Sequence, residues 1–160
     1  MKNFISTNKR ALMGGFITFV FLLVAVFVLG NISGYEGKVL IEASLSGINM
    51  LCNTIVLGSA TILTLLLTLL GISTSSRSTL KKAHYKQVAN IAKLDTVLFI
   101  FALVLFQIFN IPITESEQVP TFWFKYIYWA TLFSSSLLSG MMVTVVLLLY
   151  TTVTNIITIV

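Results

Sequence analysis

Charged side chains keep out of four long apolar stretches of this chain and sort by sign into the gaps between them. The stretches run from Ala11 to Gly30, Gly47 to Ile72, Thr96 to Ile113 and Phe122 to Tyr150. Each supplies the roughly 20 mostly apolar residues with which a helix crosses a hydrocarbon core of about 30 Å. No ionisable residue lies deep in any of them, and Lys125 stands only at the start of the fourth. The pattern predicts an all-α integral membrane protein with four transmembrane helices.

Composition agrees with that pattern. Apolar residues make up 57% of the chain and charged residues 9%, against about 45–50% and 25% in soluble domains. Within 160 residues, four helices and their connections leave no room for a folded soluble domain, so 1–160 reads as one transmembrane domain. The first stretch has the basic start of a signal peptide. Its apolar run, however, exceeds the 7–15 residues typical of one, and no small-x-small site follows Phe27-Val28-Leu29-Gly30-Asn31. It reads as a retained helix. Cys52 is the sole cysteine, so no intramolecular disulfide and no cysteine-rich metal site is expected.

The net charge of +5 does not need nucleic acid to explain it. Lys2, Lys9 and Arg10 precede the first stretch, and Arg77, Lys81, Lys82, Lys86 and Lys93 lie between the second and third. That places eight Lys and Arg on one side against Lys38 and Lys125 on the other. Short loops rich in Lys and Arg stay in the cytoplasm, so both termini are expected inside. The expected location is the cytoplasmic membrane of a bacterium. The opposite loops carry Glu36, Glu42, Glu115 and Glu117.

Several segments modify the four-span outline. The second helix has no breaker between Lys38 and Gly47 and is expected to start early. Residues 80–95 have an amphipathic period, with Leu80, Ala83, His84, Val88, Ile91 and Leu94 near one face. They are expected to run on into the third span and extend it into the cytoplasm. The fourth helix opens with Phe122, Trp123, Phe124, Tyr126, Tyr128 and Trp129, an aromatic belt suited to the headgroup level. Its last turns pass the bilayer, and Thr151–Val160 are expected to pack on the amphipathic segment, within one chain or across subunits.

The chemistry begins with what the spans lack. An intramembrane ionisable group marks most proton relays, ion-coupled sites and membrane catalytic centres, and none is expected here. That argues against multidrug transporters of this size, which need a buried carboxylate, and against membrane-integral enzymes generally. No cofactor is expected. Asp95, the only acidic residue on the inner side, is read as interfacial and paired with Lys93 or another base. His84 has no ligand-spaced neighbour and reads as an ordinary helix residue.

Small and hydroxyl residues carry the positive signal. On the second helix Gly47, Thr54, Gly58, Thr61, Thr64 and Thr68 recur at steps of three, four or seven, with Asn53 alongside. On the fourth, Ser136, Gly140 and Thr144 are four apart. Such spacings let helix backbones approach closely, so both stripes read as packing faces, between helices two and four or between subunits. Two such faces on one chain predict a homo-oligomer. The second stripe also fits a hydroxyl-lined path pinched by apolar rings. Gln107 and Asn110 share a face near the outer end of helix three and, with Glu115 and Glu117, outline an outer vestibule. The basic group Arg77, Lys81, Lys82 and Lys86 reads as a surface for a cytosolic protein or for anionic lipid. Two functions follow as expectations: an oligomeric sensor or adaptor that holds a soluble partner without catalysis, or a small cation-leaning channel lined by helix two.

Overall fold

A computed structural model describes residues 8–32, 37–75, 82–111 and 121–157. They form four helices, α1 (Lys9–Ile32), α2 (Gly37–Ser75), α3 (Lys82–Phe109) and α4 (Thr121–Ile157). Each holds a segment long and apolar enough to cross a membrane: Lys9–Val28, Val39–Gly71, Tyr85–Phe109 and Trp123–Thr154. At 1.5 Å per residue α2 and α4 extend about 55–60 Å, α3 about 42 Å and α1 about 36 Å.

Local chemistry sets the visible ends. Asn8 occupies the N-cap of α1, a position that favours Asn, and its carbonyl accepts the Leu12 amide at 3.1 Å. Asn110 closes α3 by donating twice to the Phe106 carbonyl, from its backbone N at 3.2 Å and from Nδ2 at 2.9 Å. From Lys82 to Phe109 the amphipathic segment and the third apolar stretch form one continuous helix. α2 starts ten residues ahead of its apolar stretch, because nothing between Gly37 and Gly47 breaks helical hydrogen bonding.

Successive helices run antiparallel. Asn8, Gln87 and Thr152 meet at one end of the molecule, and Asn49 meets Asn110 at the other. α4 is central: it packs on all three other helices, whereas α1 makes its extended contact with α4 alone and α2 packs chiefly on α3. α2 and α3 interlock through two seams. Ile48, Cys52, Ile55, Ser59, Ile62 and Leu66 are buried on α2, and Val88, Ile91, Asp95, Leu98, Ala102 and Leu105 on α3. Both seams alternate steps of three and four, the 3.5-residue repeat of helices that cross at about 20° with side chains interdigitated. Leu138, Val145 and Leu148 of α4 complete this core. A second cluster around Ile41, Phe124, Tyr128 and Leu132 joins α2 to α4 at the opposite end from Asn8.

The α1–α4 contact is built differently, from missing side chains. A Cβ on Gly15 would collide with Thr144 Oγ1 and stand 2.6 Å from the Gly140 carbonyl. A Cβ on Gly140 would stand 2.8 Å from Phe19 Cβ and 2.9 Å from the Gly15 carbonyl. Two backbones therefore touch where two glycines face each other, the close approach that small residues permit. Phe19 then meets Phe133 edge-on with ring centroids 5.6 Å apart, and Phe27 meets Trp129 at 5.1 Å.

Large apolar side chains also cover the outside of all four helices, among them Phe16, Phe21, Met50, Leu67, Ile100 and Phe133. The charged side chains that can be placed on this surface gather toward the ends. Lys9, Arg10, Lys86 and Lys93 are exposed toward the end that holds Asn8, and Glu42 and Lys125 toward the other.

Candidate functional site

The polar groups of the interior converge at two levels. The lower level is a junction of three segments. Gln87 Nε2 of α3 donates to Thr152 Oγ1 of α4 at 2.9 Å and reaches Asn8 Oδ1, ahead of α1, at 3.4 Å. Thr152 in turn donates to the Leu148 carbonyl at 2.8 Å. Asn8 and Thr152 are both buried, so one side-chain amide, with its two donors and one acceptor, ties the starts of α1 and α3 to the last turns of α4. At Thr152 the end of α4 thus meets the amphipathic segment within the chain, and 158–160 lie outside the described residues.

The upper level is Asp95. Its side chain is 0% exposed, and it sits about 20 Å from either end of α3 at 1.5 Å per residue. The α3 seam puts it there: Val88, Ile91, Asp95, Leu98 and Ala102 occupy one buried line, so a carboxyl stands where a leucine is due. The Ser59 hydroxyl of α2 lies beside it. No hydrogen bond of normal geometry joins the two, and both Asp95 oxygens and Ser59 Oγ are without a partner among the described residues.

This corrects two sequence-based expectations. Asp95 is not paired with Lys93, because Asp95 is buried in the α2–α3 seam while Lys93 points outward and is exposed. Nor is the interior free of ionisable groups, which removes the ground for setting aside carboxylate-dependent chemistry. The missed signal was register. Extending the Val88–Ile91 line by alternating steps of four and three passes through Asp95, Leu98 and Ala102.

The two stripes fare differently. Ser136, Gly140 and Thr144 are buried, and Gly140 and Thr144 lie against Gly15 and Phe19 of α1. Helix two or a neighbouring subunit was the expected partner of this face. Its partner is α1 of the same chain, because Gly14 and Gly15 supply the matching groove. On α2, Asn53, Thr54, Thr61, Thr64 and Thr68 are exposed, and Gly47 has open space around it. Gly58 alone turns inward enough to meet α4, where an added Cβ would come within 2.8 Å of Met142 Cε. The four threonines each donate to the carbonyl four residues back, at 2.8–2.9 Å. Their hydroxyls are thereby satisfied by their own helix. Asn53 differs, since an amide brings more donors and acceptors than a helix backbone can absorb.

Of the vestibule residues, Gln107 and Asn110 are exposed near the end of α3. Asn110 Oδ1 accepts from Asn49 Nδ2 at 3.2 Å, which pins α2 to α3 there. Glu115 and Glu117 lie outside the described residues. So do Arg77 and Lys81 of the basic group, and the side chains of Lys82 and His84; Lys86 is exposed. An open cleft of about 270 Å³ lies between α1 and α4, lined by Leu23, Phe27, Trp129, Leu132, Phe133 and Ser136. No family profile, no curated protein and no solved structure matches the chain.

Proposed function

We propose that this is a multi-pass integral membrane protein of the bacterial cytoplasmic membrane, with both chain ends inside and α3 and α4 extending into the cytoplasm. In this reading it works as an oligomeric sensor or adaptor that presents a basic inner surface to a soluble partner. Asp95 carries the proposal. Enclosing an unpaired carboxylate in a helix seam costs several kcal/mol that an apolar residue would not, and ionisable groups at membrane depth are held for function. Asp95 is then the element on which a stimulus acts. The Gln87 junction lies on the same helix, two turns toward the inner end, and joins α3 to α1 and α4. A change in the α2–α3 seam would reach the exposed basic residues Lys86 and Lys93 through that helix. Replacing Lys81, Lys82 and Lys86 together with Gln at equal expression tests the docking role. Loss of a co-purifying soluble partner is expected, and unchanged recovery with only lipid dependence altered refutes it.

The outward position of the α2 stripe supports a second reading. Copies of the chain that met through Asn53, Thr54, Thr61, Thr64 and Thr68 would enclose a hydroxyl-lined path, closed by Leu65 and its neighbours as a dewetted constriction. Planar-bilayer recording of wild type and of Leu65→Ser decides it. Current from the polar variant favours the channel; silence from both leaves the sensor.

A further inference from the structure

We propose that Asp95 and Ser59 form a proton-binding site in the α2–α3 seam, occupied while the two helices are packed and emptied when they part. The inference rests on the sensor reading for its biological use, but on the seam alone for its chemistry. An ionised Asp95 is acceptor-only, with about four lone-pair sites on two oxygens, and the one hydroxyl beside it can donate a single hydrogen bond. At least one fully enclosed oxygen would stay unsatisfied, in seams whose other buried residues include Ile55, Ile62, Leu98 and Ala102. One added proton changes the inventory. The neutral acid donates its O–H to Ser59 Oγ, and the serine hydroxyl is free to donate to the carbonyl oxygen of Asp95 or to its own helix. Both orphaned groups are then satisfied by each other.

A proton also fits better than a metal cation. The side chains known to be at the site offer three oxygens, whereas a hard cation takes about six or more. Neighbouring charges do not supply the compensation either. Among the described residues, the α2 seam brings only Cys52 as a further titratable group, the face of α4 in the same core brings Leu138, Val145 and Leu148, and Lys86 and Lys93 of α3 itself point outward. Release is a simple transfer: the Asp95 O–H bond breaks, the electron pair stays on the carboxylate, and a water admitted by separation of α2 from α3 accepts the proton. Occupancy and seam packing are therefore linked, and a change of proton concentration moves the helices.

The chain provides its own probes. Asp95 is the sole aspartate and Cys52 the sole cysteine, and Cys52 is fully buried on the same α2 seam two turns from Ser59. Aspartate labelled with ¹³C at the side-chain carboxyl, incorporated into the full chain in phosphatidylcholine nanodiscs, reports on Asp95 alone by NMR. At neutral pH a neutral-acid resonance is expected, replaced by a carboxylate resonance as the pH is raised. Maleimide labelling of Cys52 is expected to accelerate at least tenfold more between pH 6 and pH 9 in wild type than in Asp95→Asn, whose amide cannot lose a proton in this range. A carboxylate resonance at neutral pH overturns the proposal, as does one that appears only when sodium replaces choline, which would make the occupant a metal ion. Parallel Cys52 labelling in wild type and Asp95→Asn overturns the link to packing. None of these readouts needs a soluble partner, so failure of the sensor reading is separately visible.

Discussion

Six glycines can be ranked by what an added methyl would meet, and the ranking yields a quantitative test of how α1 is held. Gly15→Ala drives a Cβ into Thr144 Oγ1 with the Gly140 carbonyl 2.6 Å away, and Gly140→Ala drives one to 2.9 Å from the Gly15 carbonyl. Neither backbone can yield without moving a helix. Forced overpacking of this kind costs about 1–3 kcal/mol, partly offset by the gain of about 1 kcal/mol that Ala has over Gly in a helix interior. At Gly14 and Gly58 the obstacle is the end of a flexible side chain, Leu147 Cδ1 or Met142 Cε, so the cost is smaller. Gly47 and Gly71 meet nothing within 4 Å and show the propensity gain alone. The propensity term cancels in the difference between Gly15→Ala and Gly47→Ala, which leaves about 1–3 kcal/mol, or roughly 5- to 150-fold in the folding equilibrium at 1.4 kcal/mol per tenfold. Equilibrium unfolding by dodecyl sulfate in dilute mixed micelles, followed by circular dichroism, measures it. Equal effects at Gly15 and Gly47, within about 0.5 kcal/mol, would show that α1 and α4 do not cross at the glycine pair.

Gln87→Leu removes the amide that joins α3 to Asn8 and Thr152 and is expected to cost about 1–2 kcal/mol, with faster hydrogen exchange in the last turns of α4. Thr54→Val, Thr61→Val and Thr68→Val leave the fold of a single chain within about 0.5 kcal/mol of wild type, because each hydroxyl bonds only its own helix. Asn53→Leu lowers the oligomer fraction seen by native mass spectrometry if α2 is where copies meet, and a wild-type chain that is monomeric in nanodiscs contradicts assembly altogether. In a Cys52→Ala background, a cysteine at Ser75 labels from the cytoplasmic side and one at Ser116 from the outer side; the reverse pattern refutes the orientation.

The four helices were legible because twenty-residue apolar runs have few alternatives and because charge is excluded from them. The continuity of α3 was legible too, since the amphipathic period from Leu80 onward meets no Gly or Pro before Pro112. What failed was the choice of partners. A Ser136–Gly140–Thr144 stripe shows that something approaches closely, but not what, and the deciding residues were the adjacent Gly14 and Gly15, which lack a four-residue repeat of their own. The α2 stripe looked equivalent in sequence and, apart from Gly58, turned out to face away from the chain's core. Spacing alone cannot distinguish them, because threonine serves equally on a packed face and on an exposed one when it bonds its own backbone. Asp95 was misplaced for a different reason. Its position beside Lys93, at the edge of the apolar run, suggested an ion pair in water, while the heptad register turned the two side chains to opposite sides of α3.

The proposed coupling of Asp95 to the inner basic surface is tested most directly by photo-crosslinking in living cells. A benzophenone side chain in place of Lys86, an exposed position on the same helix as Asp95, is compared with the same label in an Asp95→Asn background at equal expression. The predicted result is an adduct with one soluble protein whose yield changes severalfold when Asp95 becomes Asn. Adducts with lipid alone, or a protein adduct of equal yield in both backgrounds, would contradict it.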